Sequence, residues 1–151
     1  RHCLEEGHSF FYASNFSIGV NLFFKINAQM AKIMNHYSNY DVEIEETHHK
    51  HKLDAPSGTA VTLAENILQE MDRKNKWVRE NAEEENELAV RSVREGEIPG
   101  IHRVMFKSDF DEIEIKHSAK SREGFALGAV LAAEFICNKT GMYSMDDLLK
   151  I

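Results

Sequence analysis

Apolar residues recur at helical spacing in three segments of the chain. The first segment runs from about Ser17 to His36, with apolar positions at Ile18, Leu22, Phe23, Ile26, Met30, Ile33 and Met34. The second runs from Thr59 to Lys74 and the third from Gly124 to Asn138. This spacing is typical of an amphipathic helix. The third predicted helix is apolar on most sides, so we expect it to be well buried and to end at Gly141 as a left-handed cap.

Alternating apolar and polar residues predict strands at 42–45, 88–94, 101–107 and 112–117, and residues 9–16 form an aromatic, β-favouring run. The order of elements predicts an α+β fold, a mixed sheet of about four strands with helices packed on one face. So many β-branched and aromatic residues in a small sheet suggest that its other face is used for oligomerisation. These residues are Val42, Ile44, Val90, Val104, Phe106, Ile113 and Ile115.

Composition limits the class of protein. The 151 residues include 42% hydrophobic and 28% charged residues, which is typical of one globular domain, and we take residues 1–151 as that domain. A formal charge of −7 argues against nucleic acid or an anionic membrane as a partner. The acidic run from Glu80 to Glu87 is expected to be a solvated loop. Cys3 and Cys137 form no C-x-x-C pair, which favours a reducing cytoplasm.

The most distinctive stretch runs from Glu46 to Ala60 and reads E-T-H-H-K-H-K-L-D-A-P-S-G-T-A. His48, His49 and His51 lie within four residues, and histidine exchanges protons readily near neutral pH. If the chain curls where the strand ends, His48 comes near Lys52, a cation suited to binding a carboxylate. Asp54 is expected to be a local hydrogen-bond acceptor.

A helix is predicted to begin directly after this cluster, at Ser57, Gly58 and Thr59. Its unpaired N–H groups and positive dipole end favour an anion, and Gly58 lets a ligand approach the backbone. Together with Lys52 and the histidines, this helix start suits a dicarboxylate.

A metal site is a competing interpretation, because His49 and His51 on one strand can place two imidazoles on an ion. The sequence supplies no H-x-x-x-H spacing and no second Cys/His cluster, and Lys50 and Lys52 would repel a cation. We therefore predict no metal. A further interpretation is an oligomeric module that binds a small anion without catalysis.

The stretch from Glu46 to Ala60 closely resembles the signature of the dihydrodipicolinate reductase family, E-x-H-H-x-x-K-x-D-A-P-S-G-T-A. Three other segments resemble that family: residues 13–21 (A-S-N-F-S-I-G-V-N), residues 121–126 (S-R-E-G-F-A) and residues 141–149 (G-M-Y-S-M-D-D-L-L). The resemblance covers nearly the whole chain.

This resemblance implies reduction of a cyclic unsaturated dicarboxylate, 4-hydroxy-tetrahydrodipicolinate, with NADH or NADPH in the diaminopimelate route to lysine. It assigns proton transfer to His48 and Lys52. Substrate carboxylates would be bound by His49, Ser57, Gly58, Thr59 and Arg122, and the nicotinamide end of the cofactor by Ala13, Ser14, Asn15 and Phe16. The family also implies a homotetramer, which we expect to form through the sheet.

The chain departs from the family pattern in one large respect. The family's cofactor domain opens with a Gly-rich turn after a strand, and residues 1–12 contain no such turn. The chain thus resembles the C-terminal substrate-binding and tetramerisation domain. We expect the cofactor to be bound mainly by an N-terminal domain absent from this chain, and the isolated chain to be inactive.

Overall fold

Five strands form a mixed sheet in the central part of the chain. The computed structural model describes residues 2–150, which divide into two compact units, residues 23–120 and residues 2–22 with 121–150. The sheet lies in the first of these, with the strand order β3-β4-β2-β5-β6. Its strands are β2 (Asp41–His48), β3 (Lys76–Arg79), β4 (Glu87–Arg94), β5 (Ile101–Lys107) and β6 (Glu112–Ser118).

Strand direction makes the sheet mixed. Both β3 and β2 pair with β4 in parallel, whereas β2 and β6 pair with β5 in antiparallel fashion. The predicted α+β class is confirmed, with five strands in this sheet rather than about four. The strand β3 was not predicted, because four residues are too few to display a clear alternation.

One face of the sheet is covered by helix α3 (Gly58–Glu70). In β2, the buried residues alternate with half-buried ones, and Ile44 faces Val90 on one side and Val104 on the other. By this alternation, all seven apolar residues named above point to the face that α3 covers. Five of them belong to the buried core, while Ile113 and Ile115 on the edge strand β6 are half-buried, so the seven do not argue for an apolar second face.

The long helix α2 (Ile18–Met34) packs against α3 where residues 23–34 lie in the central unit. Its side chain Asn27 is fully buried and donates a hydrogen bond from Nδ2 to the Leu63 carbonyl at 3.0 Å. Both observed helices begin and end within a few residues of their predicted bounds.

The acidic segment 80–86 is a loop between β3 and β4, as predicted. Glu87 is different, because it is only 7% exposed and begins β4. Its carboxylate accepts hydrogen bonds from the N–H groups of Glu83 and Glu84 and lies 2.9 Å from Lys76 Nζ. These contacts lower the pKa of Glu87 to about 2, the contact with Lys76 having the largest effect.

The second unit contains α1 (His2–Glu5), β1 (Ser9–Phe11), α4 (Glu123–Ile136), β7 (Gly141–Tyr143) and α5 (Met145–Leu149). The strands β1 and β7 pair in parallel. Gly128 of α4 packs so closely on the chain that a Cβ there would lie 1.8 Å from the Phe16 carbonyl oxygen. The α4 helix therefore requires glycine at this position.

Two expectations for the third predicted helix are wrong. Leu127 and Val130 of α4 are more than half exposed, because the helix buries a narrow stripe of small residues at Gly128 and Ala132. The left-handed residue after the helix is Asn138 (φ 61°), whereas Gly141 begins β7. Among residues 2–150, no helix is long and apolar enough to cross a membrane.

Candidate active site

Three side chains of the candidate site lie in one row across the sheet. Glu46 of β2 is in register with Ser92 of β4 on one side and with His102 of β5 on the other. His48 follows Glu46 by two residues, and Arg94 follows Ser92 by two, so both pairs point to the same face. The start of α3 covers this end of the face.

Glu46 is the centre of this cluster and its side chain is completely buried. Its Oε1 accepts three hydrogen bonds, from the Ser57 backbone N–H at 3.0 Å, from Ser92 Oγ at 2.9 Å and from Arg94 Nη2 at 2.9 Å. The other oxygen, Oε2, lies 2.9 Å from His48 Nδ1. One carboxylate thus connects β2, β4 and the start of α3.

The Glu46 carboxylate is held in its ionised form despite its burial. Burial by itself raises its pKa, since removal from water disfavours the charged form. The contacts with His48, Ser57, Arg94 and Ser92 lower the pKa by more than burial raises it, to well below the usual range. The buried charge is therefore permanent at physiological pH.

The His48 imidazole lies between this carboxylate and a glycine. His48 is 7% exposed, and its ring meets the His102 ring edge-on, with the two ring centroids 5.0 Å apart. A Cβ built at Gly100 would lie 3.0 Å from His48 Nε2. Gly100 also has a φ of +156°, a conformation that favours glycine. Glycine at position 100 therefore lets the chain pack closely beside Nε2, the nitrogen opposite the Glu46 contact.

His102 is buried and uncharged at neutral pH. Burial and the neighbouring His48 lower its pKa to about 3, although the charge of Glu46 acts in the opposite direction. Its Nε2 lies 3.2 Å from Ser57 Oγ, which in turn accepts a hydrogen bond from the Ala60 N–H at 3.2 Å. Because Ser57 Oγ accepts from Ala60, its own proton is available to His102 Nε2.

After His48 the chain turns instead of continuing as a strand. The N–H of Lys52 donates to the His49 carbonyl at 3.1 Å, which forms a turn over residues 49–52. The chain therefore curls where the strand ends, as the sequence analysis considered. The rings of His49 and His51 lie 6.3 Å apart, and His51 Nε2 is 3.6 Å from Glu97.

Lys52 is fixed by its neighbour in this turn. Its Nζ donates to Asp54 Oδ1 at 2.8 Å, and the Asp54 carbonyl accepts from Arg94 Nη2 at 2.6 Å. The contact with Lys52 lowers the pKa of Asp54. Asp54 therefore acts as the local acceptor expected from sequence, and it ties the Lys52 turn to β4.

Helix α3 begins where the sequence predicts an anion site. Ser57 is its N-cap, and a Cβ built at Gly58 would meet nothing within 4 Å, so the space over the helix start is open. Thr59 lies in the first turn and is half-buried. The helix start thus combines an exposed glycine with the positive end of the helix dipole.

The predicted site residues lie in both units. The central unit contains six of them: His48, His49, Lys52, Ser57, Gly58 and Thr59. Arg122 precedes α4 in the other unit and is exposed. In that unit the loop 13–16 is held by Asn15, whose Oδ1 accepts from the Ser17 N–H and whose carbonyl accepts from Asn21 Nδ2, both at 2.8 Å.

His48 and two of its neighbours could also offer ligand atoms to a metal ion. Glu46, His48 and His102 offer ligand atoms that all lie within 4.8 Å of one another. However, Glu46 already balances the Arg94 guanidinium, and its Oε1 accepts three hydrogen bonds. A divalent ion would bring further positive charge beside Arg94. The geometry therefore fits proton exchange better than metal binding.

Sequence reasoning gave no role to four residues of this cluster: Glu46, Ser92, Arg94 and His102. They approach His48 through strand register, which a single sequence does not reveal. The alternation of polar residues within apolar strands was a usable signal, because Glu46 and His102 occupy positions that otherwise hold core residues. The cluster therefore brings a buried carboxylate beside a histidine, with a cation and a helix start nearby.

The family assignment rests on a match that spans most of the chain. Residues 19–149 match the family model described as "Dihydrodipicolinate reductase, C-terminus". The chain belongs to this family, as its motifs predicted.

Relatives agree with the assignment. A 4-hydroxy-tetrahydrodipicolinate reductase of Christiangramia forsetii is 50% identical over 147 residues, which cover 97% of this chain and 61% of that protein. The reductase of Methanosarcina barkeri is 46% identical over 150 residues, which cover 97% and 56%. The chain thus spans little more than half the length of these relatives.

The fold also matches a solved structure, the dipicolinate-bound dihydrodipicolinate reductase from Paenisporosarcina sp. TG-14. The TM-score is 0.71 at 24% identity, covering 94% of this chain and 55% of that one. At this identity the likeness supports the fold.

Proposed function

We propose that this chain is the substrate-binding and catalytic domain of a 4-hydroxy-tetrahydrodipicolinate reductase. The enzyme would reduce 4-hydroxy-tetrahydrodipicolinate to tetrahydrodipicolinate in the diaminopimelate route to lysine. The observation that supports this most is the buried Glu46–His48 contact beside the Lys52 turn and the open start of α3. It combines a proton-exchanging group with cationic and dipolar partners for a dicarboxylate.

Proton transfer falls to His48 and Lys52 in this proposal. His48 Nε2 lies on the side of the ring away from Glu46, beside Gly100, which places no side chain over it. Lys52 presents an ammonium group that Asp54 holds in place at 2.8 Å. An ammonium with three donors can bind a carboxylate and also give up a proton.

The substrate carboxylates would be bound by His49, by the Ser57–Gly58–Thr59 helix start and by Arg122. The open space over Gly58 and the dipole of α3 support the helix start in this role. For Arg122 the support is the sequence resemblance of residues 121–126.

A nicotinamide cofactor, NADH or NADPH, would supply the hydride when bound. The loop Ala13–Phe16 would contact its nicotinamide end, and an N-terminal dinucleotide-binding domain would hold the rest. Ser14 is exposed, while the flanking Asn15 is fixed by two hydrogen bonds, so this loop offers an ordered surface to a ligand.

We also propose a cytoplasmic homotetramer that assembles through the sheet face opposite α3. Both cysteines are free, which agrees with a reducing compartment. On that face Arg103 lies 3.8 Å from Glu45 and 3.9 Å from Glu114 of the same chain, so the surface proposed for assembly is charged. Sedimentation should give a tetramer, and a strict monomer would contradict this arrangement.

A titration with pyridine-2,6-dicarboxylate tests the site directly, since the related solved structure is dipicolinate-bound. We expect millimolar ligand to shift the NMR signals of His48, His49 and Lys52. The Lys52→Gln variant should bind about tenfold more weakly, because it loses one charge-assisted contact worth about 1.4 kcal/mol.

The matched control is Lys50→Gln, which removes the same charge from an exposed residue of the same turn. It should leave the dissociation constant within about twofold of wild type. A wild-type chain whose His48, His49 and Lys52 signals stay fixed at millimolar ligand would refute the proposed site.

A further inference from the structure

We infer that Glu46 is a positioning residue for His48: it keeps the proton of the neutral ring on Nδ1, so that Nε2 exchanges protons with the ligand. This inference rests on the proposed function, because it concerns the residue that would transfer the proton. The family signature assigns no such role to Glu46, and neither does the sequence interpretation of the histidines and Lys52.

The first step of the argument is the orientation of the ring. Glu46 and His48 occupy positions i and i+2 of β2, so their side chains lie on one face of the sheet. His48 Nδ1 is 2.9 Å from Glu46 Oε2, an ion-pair contact, and among the described residues neither atom has a hydrogen-bond partner elsewhere. The opposite nitrogen, Nε2, is the one beside Gly100. A carboxylate accepts and cannot donate when ionised, so it favours the Nδ1–H tautomer.

The second step is the asymmetry of the carboxylate. Oε1 is occupied by three donors, from Ser57, Ser92 and Arg94. Oε2 faces His48 and lies 3.8 Å from His102 Nε2. The three donors hold the carboxylate in one orientation and leave Oε2 to the histidine. Burial of the Glu46 side chain excludes water that would compete for this contact.

The asymmetry makes Glu46→Gln an unusually informative variant. The three donors require an oxygen at the Oε1 position, so the amide nitrogen of glutamine must take the Oε2 position. An amide N–H then points at His48 Nδ1 and donates to it. The neutral ring should therefore switch to the Nε2–H tautomer, the opposite of the wild type.

Nitrogen-15 NMR of the labelled chain, titrated until the His48 ring is neutral, reads the tautomer directly. We expect Nδ1–H in the wild type and Nε2–H in Glu46→Gln. Glu45→Gln is the matched control, because it makes the same change one residue away on the opposite face, and it should keep Nδ1–H. An Nε2–H wild type overturns the inference without any variant, and so does a Glu46→Gln chain that keeps Nδ1–H.

Kinetics of the reductase that contains this chain give the second measurement. Glu46→Gln should lower kcat by at least about a hundredfold with KM within about threefold, since it removes orientation rather than substrate contacts. The corresponding carboxylate-to-amide change in the serine protease triad lowers kcat by about 10⁴ through the same tautomer error. A wild-type kcat overturns the inference. A wild-type protein without reductase activity refutes the proposed function instead, and the tautomer measurement still decides the role of Glu46.

Discussion

In the proposed reaction, proton transfer at His48 would depend on groups that do not themselves touch a ligand. Glu46 Oε2 lies 2.9 Å from Nδ1, Gly100 packs closely beside Nε2, and His102 from β5 meets the ring edge-on. The charge of Glu46 is balanced by Arg94 and by hydrogen bonds, which is why a carboxylate can remain ionised without contact with water. His102 is a second buried histidine in this cluster, and its burial favours the neutral form.

His102 makes the stability of the fold dependent on pH. Its pKa of about 3 in the folded chain lies below its ordinary 6.5, so the unfolded chain binds the proton more readily between these values. The stability contributed by neutral His102 is complete above pH 6.5 and is lost as the pH falls towards 3. Near pH 5 the loss should be about 2 kcal/mol, at 1.36 kcal/mol per pH unit.

Urea unfolding near pH 7.5 and near pH 5 measures this loss. His102→Gln should lower the difference between the two free energies of unfolding by about 2 kcal/mol relative to wild type. His36→Gln, at an exposed histidine, serves as the control and should leave the difference unchanged. An equal pH dependence in wild type and His102→Gln would contradict the buried neutral state.

At the level of elements, the site is the place where β2, β4, β5 and the start of α3 meet. The alternating pattern predicted β5 and β6 nearly to the residue, because each strand has one covered face. The three-residue β7 and four-residue β3 are too short for such a pattern. Arg94 and His102 were missed for another reason: their place beside Glu46 follows from strand pairing across about 50 residues. The turn at 49–52 and the helix start at Ser57 were predictable, because both are local.

Ser57 tests how the helix start supports the site. Ser57→Ala removes the N-cap acceptor of the Ala60 N–H and the hydroxyl partner of His102, so we expect about 1 to 2 kcal/mol lower stability in urea unfolding. Thr62→Ala is the control, since Thr62 also has a hydroxyl on α3 and bonds the Gly58 carbonyl from the helix surface. It should change the free energy of unfolding by less than about 0.5 kcal/mol. Equal stabilities of the two variants would argue against the capping role.

At the scale of the whole molecule, the chain corresponds to little more than half the length of its relatives. The seven apolar strand residues show why composition misleads at this scale. They were the basis for expecting oligomerisation through the other face, yet register and pleat place all seven on one and the same face of the sheet. Association through the opposite face would depend on charged residues such as Arg103, which the sequence did not single out.

We propose that His48 transfers a proton to a dicarboxylate bound at this site. Steady-state kinetics of His48→Gln in the reductase that contains this chain test it most directly, with His51→Gln, an exposed histidine of the adjacent turn, as the control. We predict that kcat falls by about 10² to 10⁴ in His48→Gln, that KM changes far less, and that His51→Gln resembles the wild type. A wild-type kcat in His48→Gln would contradict the account.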